Sequence, residues 1–296
     1  MVILVKYIFD TDPGIDDAIA IMLGYLNKLD IIGFTLATGN ISKEKSANNL
    51  KTIQDILKSN IPMYYGSREN NCEFMSAEYA HGKDGLGNIF MPASLRKFEN
   101  TFAEDFIIDA CNKYDDITFV CLGPLTNLAS TIKKDKSIIN KIKHVVIMGT
   151  TYNESVKIPY KEFNVKIDPE SAKVVFDAGF KDIKIITHDI ALMSCISKDY
   201  IDTLYYSNKI TSKFLYIISQ KYIEFCKTKG IDNALATPDP TTVASIINSN
   251  ILEFKPCTVT IKDDLSYVNL TDKSNLSVAT KVNNKLFEEL FKKTFN

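Results

Sequence analysis

Apolar runs of strand length alternate with amphipathic stretches of helix length along most of the chain, and this rhythm narrows the possible folds more than any other feature. Val2 to Phe9 is a β-branched apolar run of the kind buried on both faces of a sheet. Asp16 to Leu26 follows with Ile19, Met22, Leu23 and Leu26 on one helical face. Ile31 to Thr38 reads as a strand, Ser42 caps a helix running towards Leu57, and Ile61 to Tyr65 is a further short strand. The pattern resumes with a helix over Ala103–Tyr114, a strand over Ile117–Leu122, a helix after Pro124 and a strand over Lys143–Met148. A helix over Pro169–Asp177 and a strand over Ile183–Thr187 complete it. Such alternation requires crossover connections, so the expected fold class is α/β, a single domain over 1–296 with a central, mostly parallel sheet flanked by helices. Residues 197–229 read as mostly helical. Thr258–Ile261 and Tyr267–Leu270 flank Asp263-Asp264, which predicts a small antiparallel extension near the C-terminus, followed by a helix over Asn284–Phe291.

Two stretches, 66–100 and 149–167, fit neither period and are rich in Gly, Asn, Glu and Pro. Long connections of this kind in a compact domain are commonly functional or disordered. In an open parallel sheet, ligands bind beyond the carboxyl ends of the strands. Asp10, Gly39-Asn40, Leu122-Gly123 and Met148-Gly149 all sit at predicted strand ends, so they are expected to converge on one edge.

That edge would carry four carboxylates within eight residues, Asp10-Thr11-Asp12-Pro13-Gly14-Ile15-Asp16-Asp17. Burying like charges at this density costs several kcal/mol (roughly, per ion) unless something compensates. A hard divalent cation does so, since Ca²⁺ and Mg²⁺ prefer carboxylate and carbonyl oxygen. Pro13-Gly14 supplies the turn that folds the loop back over the strand end, and the helix beginning near Asp16 presents its positive end. A solvated acidic turn, with Asp16 capping a helix, is the plainer explanation of the same residues.

Composition sets outer limits. With 35 Lys+Arg against 36 Asp+Glu the formal net charge is −1, which offers no basic stripe for nucleic acid. The six cysteines, 72, 111, 121, 195, 226 and 257, are scattered without a CxxC pair and read as reduced core thiols of a cytoplasmic protein. The apolar start is too short for a membrane span or signal peptide, and no later stretch reaches spanning length. His144, at a strand start, reads as structural; His188-Asp189 falls near the expected site. Tyr222 and Phe225 lie at helical spacing, suited to packing or to stacking on a flat ligand, and Lys133–Lys136 is a solvated loop.

Two enzyme classes begin with a strand ending in Asp-x-Asp. One is a phosphatase using Asp10 as a covalent nucleophile with Mg²⁺, although Pro-Gly-Ile-Asp-Asp is not its usual continuation. The other is the nucleoside hydrolase family, the ribonucleoside N-ribohydrolases of the inosine-uridine preferring type, which this sequence resembles more closely. The resemblance rests on Asp10 to Ala18, Gly39-Asn40, His81-Gly82-Lys83-Asp84-Gly85-Leu86-Gly87 and Gly123-Pro124-Leu125-Thr126-Asn127. It continues through Glu162-Phe163-Asn164, Asp168-Pro169-Glu170 and Asp239-Pro240, in order along nearly the whole chain.

The resemblance implies Ca²⁺ held by Asp12, Asp17, Asp239 and the Leu122 carbonyl, with Asp12 also activating the attacking water. Asp16 and Asn164 would bond the ribose hydroxyls, assisted by Asp239, and Asn40 would contact sugar and water. Glu162 would take the 5′-hydroxyl, and His81 would stand on the base side. The implied reaction is hydrolysis of a ribonucleoside by direct water displacement with inversion, carried out by a homodimer or homotetramer in nucleoside catabolism or salvage.

Two departures bear on this. Many relatives carry a His before the C-terminal aspartate, where this chain has Pro238; the proton for the leaving base would then come from His81, from Tyr222 or Glu224, or from water. The family usually has an Asn six residues before Glu162, where this chain has Val156, with Asn153 nearby. A homologue that binds ribose or nucleosides without turnover is therefore a further alternative.

Overall fold

Among the described residues, eleven strands and the helices between them place the Asp12–Asp17 loop and the turns at Asn40 and Leu122 at one end of the large sheet. The computed structural model describes residues 5–67, 76–152 and 161–296. Val2, Cys72, Asn153, Val156 and Pro159 lie outside them. The strands are β1 (Lys6–Thr11), β2 (Ile31–Leu36), β3 (Met63–Tyr65), β4 (Ile117–Cys121), β5 (Ile142–Met148), β6 (Ile183–Ile186), β7 (Cys195–Ser197), β8 (Ala234–Ala236), β9 (Leu252–Lys262), β10 (Leu265–Leu270) and β11 (Leu276–Val282). Nine of them form one sheet in the order β10-β9-β11-β6-β5-β4-β1-β2-β3, and β7 pairs with β8 separately.

The segment β3-β2-β1-β4-β5-β6 is parallel throughout. Strand order reverses between β1 and β4, and at such a switch point the two crossovers leave on opposite faces and open a crevice. Asp10 is paired with Cys121 there, so Asp12 and Leu122 emerge side by side beyond the strand ends.

Apolar side chains cover both faces, which is why these strands read as unbroken apolar runs. Phe9, Phe34 and Val120 pack with helix Ile15–Leu26 in one core, while Ile8, Phe119 and Val145 pack with the helices of 103–113, 126–134 and 169–176 in the other. The C-terminal helix Asn284–Phe295 buries Phe287, Phe291 and Phe295, spaced by four, against the first core. Among the described residues, no helix is long and apolar enough to cross a membrane.

The single α/β domain and its mostly parallel sheet agree with the sequence-based expectation. Three particulars differ. Asp10 and Thr11 lie inside β1 rather than after it, since the ladder with β2 runs on through both and Thr35 of β2 and Asn127 of the helix over 126–134 satisfy the Asp10 carboxylate. The expected hairpin is β9–β10, but β11 joins it and docks in parallel on β6, making the extension three-stranded and continuous with the main sheet. The irregular stretches also contain short helices, Glu78–His81 and Phe163–Ile167, which carry functional candidates into place.

Candidate active site

The loop from Thr11 to Ile15 is built around Asp17. Its Oδ1 accepts from the Thr11 hydroxyl (2.6 Å) and the Asp12 N–H (3.3 Å), and its Oδ2 from the Gly14 N–H (3.0 Å) and the Asn40 side-chain amide (3.1 Å). The second turn arrives from β2: the Asn40 N–H donates to Asp12 Oδ2 at 2.7 Å, and its side-chain amide also reaches the Asp12 carbonyl at 3.2 Å. A Cβ on Gly39 or Gly123 would overlap an Asp12 carboxylate oxygen, so these two turns close on Asp12 only because both residues are glycine.

Asp12, Asp17 and Asp239 are each no more than 3% exposed, and Asp16 is 8% exposed. Carboxylate oxygens of Asp16, Asp17 and Asp239 lie within 4.8 Å of one another, and Asp239 stands within hydrogen-bonding reach of Asp17. Asp12 falls outside that closest trio. Asp12 Oδ1 and Asp16 Oδ1 are buried without a hydrogen-bond partner. Burial, reinforced for Asp12, Asp17 and Asp239 by the mutual repulsion of these charges, raises all four carboxyl groups above their ordinary range, Asp16 to about 6. Abutting carboxylates need a proton or a cation between them, and every donor here is oxygen. The residues therefore fit a hard divalent cation.

Asp10 is different. It is fully buried, lies outside the cavity wall, and gives its Oδ1 to Thr35 (2.5 Å) and Asn127 (2.7 Å). Nothing in this arrangement presents Asp10 as a nucleophile, and the phosphatase alternative finds no support.

A cavity of about 300 Å³ opens above the cluster, with Asp16, Asp239, Asn40 and the Leu122 turn at its floor. Asn164 forms one wall. Its side-chain amide donates to the carbonyls of Leu122 (2.8 Å) and Met148 (3.3 Å), which leaves Oδ1 as an acceptor for a ligand. Leu122 O retains a second lone pair beside that bond. Glu162 lies next to it and caps helix Phe163–Ile167: Oε1 accepts from the Asn164 N–H (3.0 Å), and Oε2 from Val165 (3.1 Å) and Thr150 (3.1 Å). Thr150 adopts φ +66°, which is costly for a β-branched residue, and this conformation aims its N–H at Glu162 while its carbonyl receives the His188 N–H.

The opposite wall is aromatic. His81 and Tyr222 stack at 5.3 Å with an interplanar angle of 15°, and Tyr222, Phe225 and Tyr79 continue the line of rings. His81 Nδ1 accepts from the Ile15 N–H at 3.2 Å, so its proton sits on Nε2. Burial lowers its pKa to about 4, with Asp17 opposing. The 3.7 Å approach of Asp16 to this neutral ring is thus no ion pair.

His188 also lines the cavity, and burial, with Lys229 assisting, lowers it to about 4. His144 lies elsewhere, paired with Asp182 at 2.6 Å. Glu224 is exposed and faces Lys221, outside the cavity, whereas Pro238 lines it at the first turn of helix Pro238–Ile247. Of the motif residues, Asp168 and Asp84 prove structural. Asp168 caps helix Pro169–Phe176, and Asp84 accepts three backbone N–H groups of its own loop.

Sequence reasoning passed over Asn49. This buried helical residue bonds the carbonyls of Pro13 (3.0 Å) and Asp84 (2.9 Å), tying the acidic loop to the loop that carries His81. No local motif marks it.

The family model described as inosine-uridine preferring nucleoside hydrolase matches residues 7–289. The uridine nucleosidase 1 of Arabidopsis thaliana is 31% identical over 264 residues, covering 87% of this chain and 78% of that protein. A solved plant nucleoside hydrolase superposes with a TM-score of 0.88 at 28% identity over 99% of both chains. The purine-preferring ribonucleoside hydrolase from Gardnerella vaginalis gives 0.88 at 27% identity over 98% of both.

Proposed function

This chain belongs to the inosine-uridine preferring nucleoside hydrolase family and is an N-ribosyl hydrolase, and from that premise we propose that it cleaves ribonucleosides to ribose and free base with Ca²⁺. The observation that carries the reading is the crowded buried carboxylate cluster at the floor of a cavity with one polar and one aromatic wall.

Asp12, Asp17, Asp239 and the Leu122 carbonyl would hold the ion, with Asp16 close beside it. When bound, the ion would make a water more acidic and help to orient it against the anomeric carbon. Asp12, with one oxygen fixed by the Asn40 N–H and the other unpaired, accepts the water's proton. Asp16 and the Oδ1 of Asn164 accept hydrogen bonds from the ribose hydroxyls, Asp239 assists them, and the Asn40 side chain faces sugar and water. The remaining lone pair of Glu162 Oε1 serves the 5′ end. As the C1′–N bond lengthens, the sugar becomes oxocarbenium-like, and the surrounding carboxylates stabilise that charge. Water displaces the base directly, with inversion.

His81 Nε2–H meets the departing base. A neutral imidazole acts here by hydrogen bonding to developing negative charge rather than as a strong acid. His81→Ala should therefore lower kcat by roughly 10²-fold, the lower end for a positioned acid–base group. The loss should be larger for nucleosides with poorer leaving bases. Equal rates for the variant and the parent enzyme would remove His81 from the chemistry.

The setting proposed is cytoplasmic, in keeping with the free thiols of Cys111, Cys121, Cys195, Cys226 and Cys257, and the assembly a homodimer or homotetramer. Chromatographic assay of free base from inosine, adenosine, guanosine, uridine and cytidine tests the function. Base from any of them supports it, and their ratio gives the specificity. Ligand binding without base release would favour a non-catalytic binder.

A further inference from the structure

Asn49 lies outside the cavity wall, 4% exposed on helix Lys43–Leu57, yet it joins two loops that meet at the site. Its amide nitrogen gives one hydrogen to the Pro13 carbonyl (3.0 Å) and the other to the Asp84 carbonyl (2.9 Å). Pro13 belongs to the turn between Asp12 and the Asp16-Asp17 pair, and Asp84 to the loop that follows His81. Among the described residues, neither carbonyl takes another protein donor. Asparagine alone offers two N–H groups on one nitrogen at so short a reach.

The loop after His81 is tied within itself. The Gly87 N–H donates to the His81 carbonyl (2.8 Å), the Gly85 N–H to that of Gly82 (3.0 Å), and the Asp84 carboxylate takes the N–H groups of Leu86, Asn88 and Phe90. Holding the Asp84 carbonyl therefore holds His81. From the acidic loop, the Ile15 N–H at the start of helix Ile15–Leu26 donates to His81 Nδ1 at 3.2 Å, the long end of the normal range. That one bond decides which ring nitrogen carries the proton. A Cβ on Gly14 would come within 2.8 Å of Nδ1, so the two loops already meet at contact distance. Asn49 grips both loops and so sets how Nδ1 sits against the Ile15 N–H.

We infer that Asn49 is a positioning residue for departure of the base, acting through His81, a conclusion that rests on the hydrolase reading above. With both carbonyls tied, the Ile15 N–H faces Nδ1 and the proton stays on Nε2, the nitrogen that meets the base. Without the tie the Ile15 bond opens and the Nδ1–H tautomer becomes populated. Nε2 then presents a lone pair to a base that is gaining negative charge, where the transition state needs a donor. The loss falls on kcat rather than KM, because that charge develops only in the transition state.

The test is a double-mutant cycle with His81. Asn49→Ala should lower kcat roughly 10-fold, part of the loss expected for His81→Ala, and the loss should grow for nucleosides with poorer leaving bases. KM should stay within about 2-fold. Asn49→Asp, which keeps the shape and removes both N–H groups, should lose at least as much. In a His81→Ala background, Asn49→Ala should cost less than about 2-fold. An equal loss in both backgrounds overturns the inference, since Asn49 would then act through the acidic loop or the fold alone. A second measurement needs neither turnover nor a variant that folds well. The chain has only three histidines, so ¹⁵N-labelled imidazoles can be resolved one by one. His81 should be the Nε2–H tautomer in the parent protein and a mixture in Asn49→Ala. The Nδ1–H tautomer in the parent, or an unchanged Nε2–H tautomer in the variant, overturns the inference. If the parent releases no base from any nucleoside, the hydrolase reading itself fails, and the tautomer comparison still decides whether Asn49 seats His81.

Discussion

Asp12→Ala lowers the rate of ribose release by roughly 10³-fold or more, because one substitution removes both a positioned base and a ligand to the ion. No neighbour can replace it. The Asp12 carboxylate is wholly buried between two glycine turns, Gly39 and Gly123, where any larger residue would overlap it. The fold should survive, since the substitution deletes a charge whose burial is unfavourable without a cation. Steady-state rates at saturating Ca²⁺, with circular dichroism to verify folding, make the measurement. Asp12→Asn, which keeps the shape and loses the charge, should be nearly as slow. An alanine variant within a few-fold of the parent would mean that another group takes the proton.

Removing the ion produces the second large effect, this time on stability. A ligand at 100-fold its Kd stabilises the folded state by about 2.7 kcal/mol, or about 5–10 °C in Tm at roughly 2–4 °C per kcal/mol for a domain approaching this size. Chelation should reverse that gain. The effect should also depend on pH, with a sign fixed by the raised carboxyl groups. In the ion-free chain Asp16 titrates at about 6 and Asp10 at about 7, both above the ordinary value of 3.8. The folded state thus holds protons that the unfolded chain has released. Their contribution is most favourable below about pH 4 and is lost as pH rises through 6 to 7. Chelated protein should therefore melt at lower temperature at pH 8 than at pH 6, and the gain from Ca²⁺ should be larger at pH 8. Thermal scans at both pH values, with and without chelator, measure it; a Tm gain that shrinks with rising pH would contradict the account.

Much of this site is legible in the sequence because its parts are chemically expensive. Four aspartates directly beyond a buried strand demand compensation, and the alternation of strands and helices dictates which turns meet. That logic brings the loop after β1, Gly39-Asn40, Leu122-Gly123 and Met148-Gly149 to one sheet end, whereas Asn164 is marked only by the family motif. It falters where tertiary pairing overrides local pattern. Asp10 looks like a member of the cluster in sequence, yet Thr35 of the neighbouring strand and Asn127 of the helix over 126–134 hold its carboxylate in the interior. The strand β11 is not evident from local pattern, because its parallel docking on β6 pairs residues as distant in the chain as Leu276 and Ile183. Asn49 is invisible for another reason: its two acceptors are backbone carbonyls, which leave no mark on side-chain identity.

Glu162 lies between these cases. Its position beside Asn164 follows from the family motif, but only the structure reveals that three N–H groups already occupy its oxygens.

The central claim is that the carboxylate cluster holds a divalent cation on which hydrolysis depends. Its most direct test is to strip the protein with chelator and titrate Ca²⁺ back while following ribose release from its preferred nucleoside. The account predicts negligible activity without the ion and full recovery at one Ca²⁺ per chain, with Asp12→Ala failing to recover. Undiminished ribose release from fully chelated protein would contradict it.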